Sequence, residues 1–543
     1  MTIELGRIQF NESSLFKQLR NDLKDDWFPD PLNYGDMLET GLVTKIINKN
    51  FETNHGEYIP SERVILNVPK PNFTLRYALE TSLPDRVLYH GLTAYLVPYF
   101  DKLIPWNVFS HRYNYHRPSE RYLFNRGVQS WQEFVGVIRS SMNEESVLLS
   151  TDVANYFENI SLPRLKQNLI ALISEVEASS TEKSDIRAHI DALFSCLKSW
   201  AFEPDRGLPQ NRDASSFLAN IYMRYVDQEM LKEGLVYYRY MDDIKIVCSD
   251  SYQARWALKR LSMLLRDIGL TINAKKTEIV SAVEAKQKGI IEEGSPEIQH
   301  IDEIFRSRSR STILRAIPEL KDIFYKLIAE GKTDSREFRF CIKRLELLAR
   351  YDDIYTPPEL YSEITTEVIK AISEHPASTD QYFRYLIAVP LTNENLHDIA
   401  TYLQDKGKSI YGWQNYRLWT LLAQRGYRDA GHLKFAVECI NEQPDSPTRA
   451  GATLYIGVEG GNDERVEIAR NFHSLKSFQG QRIALVAIQE LPHPLIRESV
   501  RTYLRSDLLG VYRKLHEERQ WQYYIPLEKI SVSDISDMES DYA

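Results

Sequence analysis

The sequence predicts an α+β front half followed by an all-α back half. Short runs of alternating β-formers, SVLLSTD at 146–152 and LVYYRYMDDIKIVCS at 235–249, occur only before about residue 280. From Ile313 onward, apolar residues recur at three- and four-residue spacing, as in ILRAIPELKDIFYKLIAE, EFRFCIKRLELLARY and LYSEITTEVIKAIS. That period belongs to amphipathic helices. Breaks at Pro376, Pro390, Gly407, Gly426, Pro444 and Gly460 cut the back half into segments short enough to pair and stack as a solenoid. No fixed repeat length is present, so the expectation is HEAT-like stacking or an irregular bundle rather than TPR or ankyrin repeats.

These patterns divide the chain into a mixed domain at 1–285, a linker at 286–312, a helical-repeat domain at 313–530 and an acidic tail at 531–543. The boundary is placed in the polar stretch AVEAKQKGIIEEGSPEIQHIDE, which holds two Gly, a Pro and many charges. Hydrophobic content of 43% and charged content of 26% exclude wholesale disorder and collagen-like repetition. No stretch approaches the roughly 18 apolar residues of a membrane span, and the first residues lack a signal-like apolar core. The four cysteines form no CxxC pair, which speaks against a zinc module or a disulfide framework. The expectation is a cytoplasmic protein without membrane contact. With 67 Lys+Arg against 76 Asp+Glu, bulk charge attracts no polyanion, so any nucleic-acid contact must use local basic surfaces.

The sharpest feature is Tyr240-Met241-Asp242-Asp243, flanked by Val236 and Tyr238 on one side and Ile244, Ile246 and Cys248 on the other. This reads as a hairpin presenting two adjacent carboxylates. Alone, such a pair is an ordinary solvated turn. About ninety residues upstream, however, the run VLLST leads into Asp152, followed by Val153-Ala154-Asn155-Tyr156-Phe157. That Asp could simply cap the next helix. One carboxylate at a strand end and two on a facing hairpin nevertheless supply the hard oxygen ligands that Mg²⁺ takes, and two such ions serve in-line phosphoryl chemistry.

Three further segments fall in order around these. They are Arg206-Gly207-Leu208-Pro209-Gln210-Asn211 running on to Leu218-Ala219-Asn220, then Gly269-Leu270-Thr271-Ile272-Asn273-Ala274-Lys275-Lys276-Thr277, and upstream Arg76-Tyr77-Ala78-Leu79 with Leu83-Pro84-Asp85-Arg86-Val87. With the Asp elements they resemble the ordered motifs of reverse transcriptases over residues 76–277. The resemblance implies palm and fingers subdomains, dNTP substrates, and two Mg²⁺ ions, with Mn²⁺ as a substitute, held by Asp152, Asp242 and Asp243. It implies that Val153 adds a carbonyl beside the metals and that Phe157 is a steric gate against the ribose 2′-hydroxyl. It also implies that Arg76 grips the triphosphate, that Gln210 lines the nucleotide pocket and that Lys276 protonates or neutralises the departing pyrophosphate; Arg86 is read as structural. Two positions depart from the family pattern. Asn211 stands where Gly is usual and Ser216 where Pro is usual, which speaks against templated copying.

A long helical region in place of a compact thumb, without a nuclease motif, resembles the abortive-infection reverse transcriptases, the AbiK-like and prophage-borne group. That implies anti-phage defence, homo-oligomers, a phage trigger protein and protein-primed, untemplated DNA synthesis. Template-dependent synthesis on RNA or DNA and a non-catalytic scaffold are the other readings. Tyr34, Tyr58 and Tyr113 lie in polar N-terminal stretches where a priming hydroxyl could sit. The segment 111–126 interleaves arginines with aromatic residues, so Arg112, Arg117 and Arg121 are expected to bind single-stranded DNA product. A second basic run, Arg306-Ser307-Arg308-Ser309-Arg310, reads either as an exit channel or as a solvated linker.

Overall fold

The palm sheet is antiparallel and four-stranded. Its strands are β5 (Val147–Asp152), β6 (Val236–Tyr240), β7 (Asp243–Cys248) and β8 (Glu278–Ser281), in the order β6-β7-β5-β8. They follow two small hairpins, β1 (Thr2–Leu5) with β2 (Ile8–Asn11) and β3 (Val64–Pro69) with β4 (Leu75–Glu80). This computed structural model describes residues 1–23, 26–115, 122–290, 296–517 and 521–533. The expected β runs are thus strands: SVLLSTD supplies β5, and LVYYRYMDDIKIVCS folds back on itself as β6 and β7 with Tyr240 opposite Asp243.

Four of the longer helices of the front half are α1 (Leu83–Phe100), α2 (Ser180–Trp200), α3 (Asp213–Lys232) and α4 (Ser251–Asp267). Helix α1 starts where Ser82 accepts the Asp85 N–H and Pro84 sits in the first turn, and it is buried nearly all round between α2 and α3. Helix α4 starts where the Asp250 carboxylate accepts the N–H groups of Tyr252 and Gln253. It buries Ala254, Ala257, Leu261, Leu264 and Leu265 against α3 and the sheet. A satellite cluster of Phe134, Ile138, Leu148, Tyr238 and Val280 covers another part of the palm.

The back half is helical, as expected. Its elements are α5 (Pro296–Arg306), α6 (Arg310–Ala329), α7 (Arg336–Arg350), α8 (Glu359–Glu374), α9 (Thr379–Ala388), α10 (Asn393–Gln404), α11 (Gly412–Gln424), α12 (Ala430–Glu442), α13 (Pro447–Glu459), α14 (Asn462–Arg470), α15 (Phe478–Ala487), α16 (His493–Arg501) and α17 (Leu509–Glu517). Contacts run α7 to α9 to α11 to α13 to α15 along one layer and α8 to α10 to α12 to α14 to α16 along the other. The inner layer is close-packed: a Cβ on Gly457 would lie 2.6 Å from Ala487 Cα, and one on Gly451 2.7 Å from Trp419 Cβ. Helices α11, α13 and α15 can touch only because those positions carry no side chain.

Two boundaries differ from expectation. The stretch 286–312 contains α5, which buries Ile298, Ile301 and Phe305, so apolar spacing within a polar run overrides the linker reading. At the other end, the Ile530 N–H bonds the Arg350 carbonyl and Val532 N–H meets the Asp353 carboxylate, so the chain is still docked at the start of the expected tail. Residues 534–543 lie outside the described ones.

The helical half does not stand apart from the front. Tyr416 donates to the Pro29 carbonyl at 2.6 Å, Phe28 packs edge-on against Tyr416, and Gln479 donates to the Thr81 carbonyl at 3.0 Å. Arg482 is buried between Asp30 and Asp36. A single hydrophobic core runs from β1 through to α17.

Candidate active site

The two strands carrying the expected carboxylates lie side by side. Asp152 ends β5 and is paired in register with Asp243, the first residue of β7. Asp242 occupies the turn before it, and its carbonyl accepts the Val153 N–H at 3.2 Å. Met241 holds the turn at φ 57°, a conformation with a cost for a side-chain-bearing residue. It is fixed on both sides, its N–H donating to Ser110 Oγ at 3.0 Å and its carbonyl accepting from Arg239 at 2.8 Å. Arg239 is itself buried, paired with Asp227 at 2.7 Å and hydrogen-bonded to Asn220, the last residue of the 206–220 segment. That segment therefore supports the hairpin from beneath.

The three carboxylates differ in their partners. Asp152 Oδ2 meets Lys276 Nζ at 2.6 Å, while its Oδ1 is buried with no hydrogen-bond partner. Asp243 Oδ1 meets Lys245 Nζ at 2.7 Å, and the same ammonium donates to Ser150 Oγ at 2.7 Å. Burial pushes the Asp242 carboxyl up to about 6, and the charges of Asp243 and Asp152 push the same way. Lys276 is raised despite partial burial, because its hydrogen bond to Asp152 and the surrounding carboxylates favour the ammonium. Among the described residues no group of three or more His, Cys, Asp or Glu side chains forms a ready-made metal cage. A buried carboxylate oxygen without a partner, beside a carboxyl held in an acid-rich and desolvated place, fits a hard divalent cation.

The 269–277 segment is laid along Asp152. Ala154 N–H bonds the Thr271 carbonyl at 2.8 Å and Asn273 N–H bonds the Asp152 carbonyl at 2.9 Å, which brings Lys276 round to the carboxylate. On the other side, the Phe157 carbonyl accepts the Leu208 N–H at 3.0 Å, tying the expected gate to the loop that carries Gln210. Gln210 donates to Glu158 Oε1 at 3.3 Å. Arg76, on β4, lies 5.3 Å over the Trp27 ring; burial lowers its pKa, opposed by the negative charges of Asp242 and Glu158. Glu158 thus links Gln210, by a hydrogen bond, with Arg76, by charge, and Arg76 also feels Asp242.

Asn211 sits at φ 59°, so the departure from Gly preserves a left-handed backbone. Asn tolerates that region better than most side chains. The carbonyl of Asn211 accepts from Arg212, which is buried against Glu80 and Asp26 together with Arg86. Arg86 is thus structural, as its sequence reading held.

Other expectations meet different surroundings. Arg112 directs its five N–H groups inward, to the Asp101 carboxylate and the carbonyls of Asp101, Ile104, Pro105 and Val108. It fastens a helix end and has no donor left for a nucleic acid. Arg117 and Arg121 lie outside the described residues. Tyr34 is buried, and Tyr58 is half-buried and donates to Asp85 at 2.8 Å; burial and neighbouring carboxylates raise both well above 10. Tyr113 is half-buried, bridged antiparallel to Phe124 and edge-on against Tyr115. Arg306 pairs with Asp302 and Arg310 with Asp353, as structural surface arginines do. Sequence reading missed Lys245, Glu158 and Trp27. Of these, Lys245 could have been found: a lysine alternating with Ile244 and Ile246 in a buried strand requires a carboxylate partner.

Residues 102–323 match the family model described as reverse transcriptase (RNA-dependent DNA polymerase). This part of the chain is similar to a reverse-transcriptase domain, and the similarity supports a nucleotide-polymerising, nucleotidyltransferase kind of enzyme. The match takes in the palm, the three carboxylates and the first helices after the palm; Arg76 lies upstream of it. No curated protein matches the chain.

Proposed function

We propose that the protein is a metal-dependent DNA polymerase that adds dNTPs to a 3′-hydroxyl at Asp152, Asp242 and Asp243. The observation that carries this reading is the register pairing of Asp152 with Asp243, beside Asp242, which follows the left-handed Met241. Two Mg²⁺ ions held there would supply Lewis acidity at the attacking hydroxyl and at the departing pyrophosphate. Asp152 and Asp242 are the principal ligands, with Asp152 Oδ1 already free of other partners. Arg76 grips the triphosphate through two guanidinium N–H groups, Gln210 lines the nucleotide, and Phe157 fills the space a 2′-hydroxyl would need. Lys276, kept protonated by Asp152, is placed to donate a proton to pyrophosphate.

The finer reading is synthesis without a template, started on a tyrosine of the protein itself and serving defence against phage in a homo-oligomer. It is supported by the helical array in place of a compact thumb. Copying of an RNA or DNA template is the second reading, favoured by Asn211, whose φ of 59° retains the backbone that the substitution of Gly put in question. Incubation with labelled dNTPs and Mg²⁺, without nucleic acid, separates the two. Label that stays on the protein after denaturation, and is lost with Asp152→Asn, supports self-priming. Incorporation only after template and primer are added supports copying, and no incorporation under either condition rejects the polymerase reading.

A further inference from the structure

Helix α4 is one-sided in an unusual way. Its buried face is entirely apolar, whereas its outer face presents Tyr252, Arg255, Trp256, Lys259, Met263 and Arg266. Tyr252 is 80% exposed, Trp256 46% and Met263 39%, so three large apolar side chains are left to solvent on one helix surface. Helix α4 holds four cations and one acid, Asp267 at its last position, within a chain whose net charge is −9. Arg260 is paired with Glu229 and Glu233 on α3. Arg255 lies 5.7 Å over the Tyr252 ring, and Arg255, Lys259 and Arg266 make no ion pair among the described residues.

Unpaired cations alternating with exposed rings match a ligand that carries both phosphates and flat faces. An acidic peptide would engage the cations and leave the Tyr and Trp faces unused. The direction of the helix supports the same occupant. Strand β7 leads away from the carboxylates, α4 returns, and the chain after α4 reaches Thr271 and Asn273 beside Asp152. Arg266 therefore marks the end nearer the active site and Tyr252 the far end. At 1.5 Å per residue the stripe from Tyr252 to Arg266 is about 20 Å long.

We propose that the outer face of α4 binds a single-stranded nucleic acid along this stripe, outside the catalytic carboxylates. The inference rests on the polymerase reading for the presence of a strand and adds a surface that the reading does not contain. The test is fluorescence anisotropy of a labelled 20-nucleotide oligo(dT) with the full chain, without dNTPs, at several salt concentrations. Neutralising Arg255, Lys259 and Arg266 to Gln should flatten the log–log salt dependence by about 2, from roughly 0.7 per cation on a single strand. Trp256→Ala should weaken binding by about five- to 150-fold, the range for losing one stacked base. Tyr252→Ala, at the most exposed position, provides a second variant with little risk to folding. Unchanged salt slope and affinity in these variants overturn the proposal, as does wild-type protein that binds poly-Glu as tightly as oligo(dT). Strand binding that depends on α4 in a protein that incorporates no dNTP would reject the polymerase reading alone. Incorporation that persists with α4-independent binding would reject this inference alone.

Discussion

Two acidic clusters in this molecule use the same residue types to opposite ends. Where the front half meets the helical array, Asp26 and Glu80 are fully buried with Arg86 and Arg212, at contacts of 2.6 to 3.4 Å. Burial acts to raise both carboxyls; the two guanidinium charges hold Asp26 well below its usual range, while burial and the Asp26 charge push its hydrogen-bonded neighbour Glu80 up to about 8, so the pair shares a proton between two arginines. At the palm, Asp152, Asp242 and Asp243 lie together with Lys245, Lys276 and Arg76 at the margin, and burial raises Asp242 to about 6. The first cluster is enclosed together with its counter-charges; the second is more open and keeps one carboxylate oxygen, Asp152 Oδ1, without a partner. An acidic group joins elements together when its counter-charges are built in, and can receive a cation when they are not.

The contrast can be broken at either end. Asp242→Asn should abolish dNTP incorporation by at least about 10²–10³-fold, the scale for losing a principal electrostatic group, with unchanged circular dichroism. Its effect on stability should be the reverse. A carboxyl raised from 3.8 to about 6 costs the metal-free fold stability progressively as pH rises from about 4 to 6, and that cost persists above 6. Because Asp242 is partly exposed, metal-free Asp242→Asn should gain only about 1–2 kcal/mol at pH 7, and nothing at pH 4, in denaturant unfolding. Arg212→Ala should act oppositely, losing about 3–5 kcal/mol because it leaves Glu80 and Asp26 buried with one counter-charge fewer. Equal effects of the two substitutions would remove the distinction between the clusters.

Smaller substitutions sharpen it. Lys245→Met removes the counter-charge of Asp243 from a buried strand position and should lower incorporation by roughly 10–100-fold, as loss of a ligand's supporting partner does. A fall in kcat with little change in the dNTP KM would place Lys245 behind the carboxylate rather than in the nucleotide pocket. At Asn211, Ala should cost about 1–2 kcal/mol through its left-handed backbone, whereas Gly should fold at least as well. Unfolding midpoints of the two variants, measured side by side, decide this.

The parts of this architecture that could be read from the sequence are those set by local pattern. Alternation around Asp242 and Asp243 placed β6 and β7, and the three-to-four spacing after Ile313, with its Pro and Gly breaks, placed the helices of the back half. Helix α5 was missed because Ile298, Ile301 and Phe305 are set among charges that read as a linker. Buried ionic groups were the least visible. Asp26, Glu80, Arg86 and Arg212 are spread over some 190 residues, and nothing local distinguishes a buried arginine from a surface one. Arg112 shows the converse: its aromatic neighbours suggested a strand contact, yet a helix end with open carbonyls lies within its reach.

Arg482 inserts between Asp30 and Asp36, partners 452 and 446 positions earlier in the chain. During synthesis, at roughly 5–20 residues per second, the two aspartates emerge about 25–90 s before their arginine. Asp30 and Asp36 therefore wait for their arginine until nearly all of the helical array has been made.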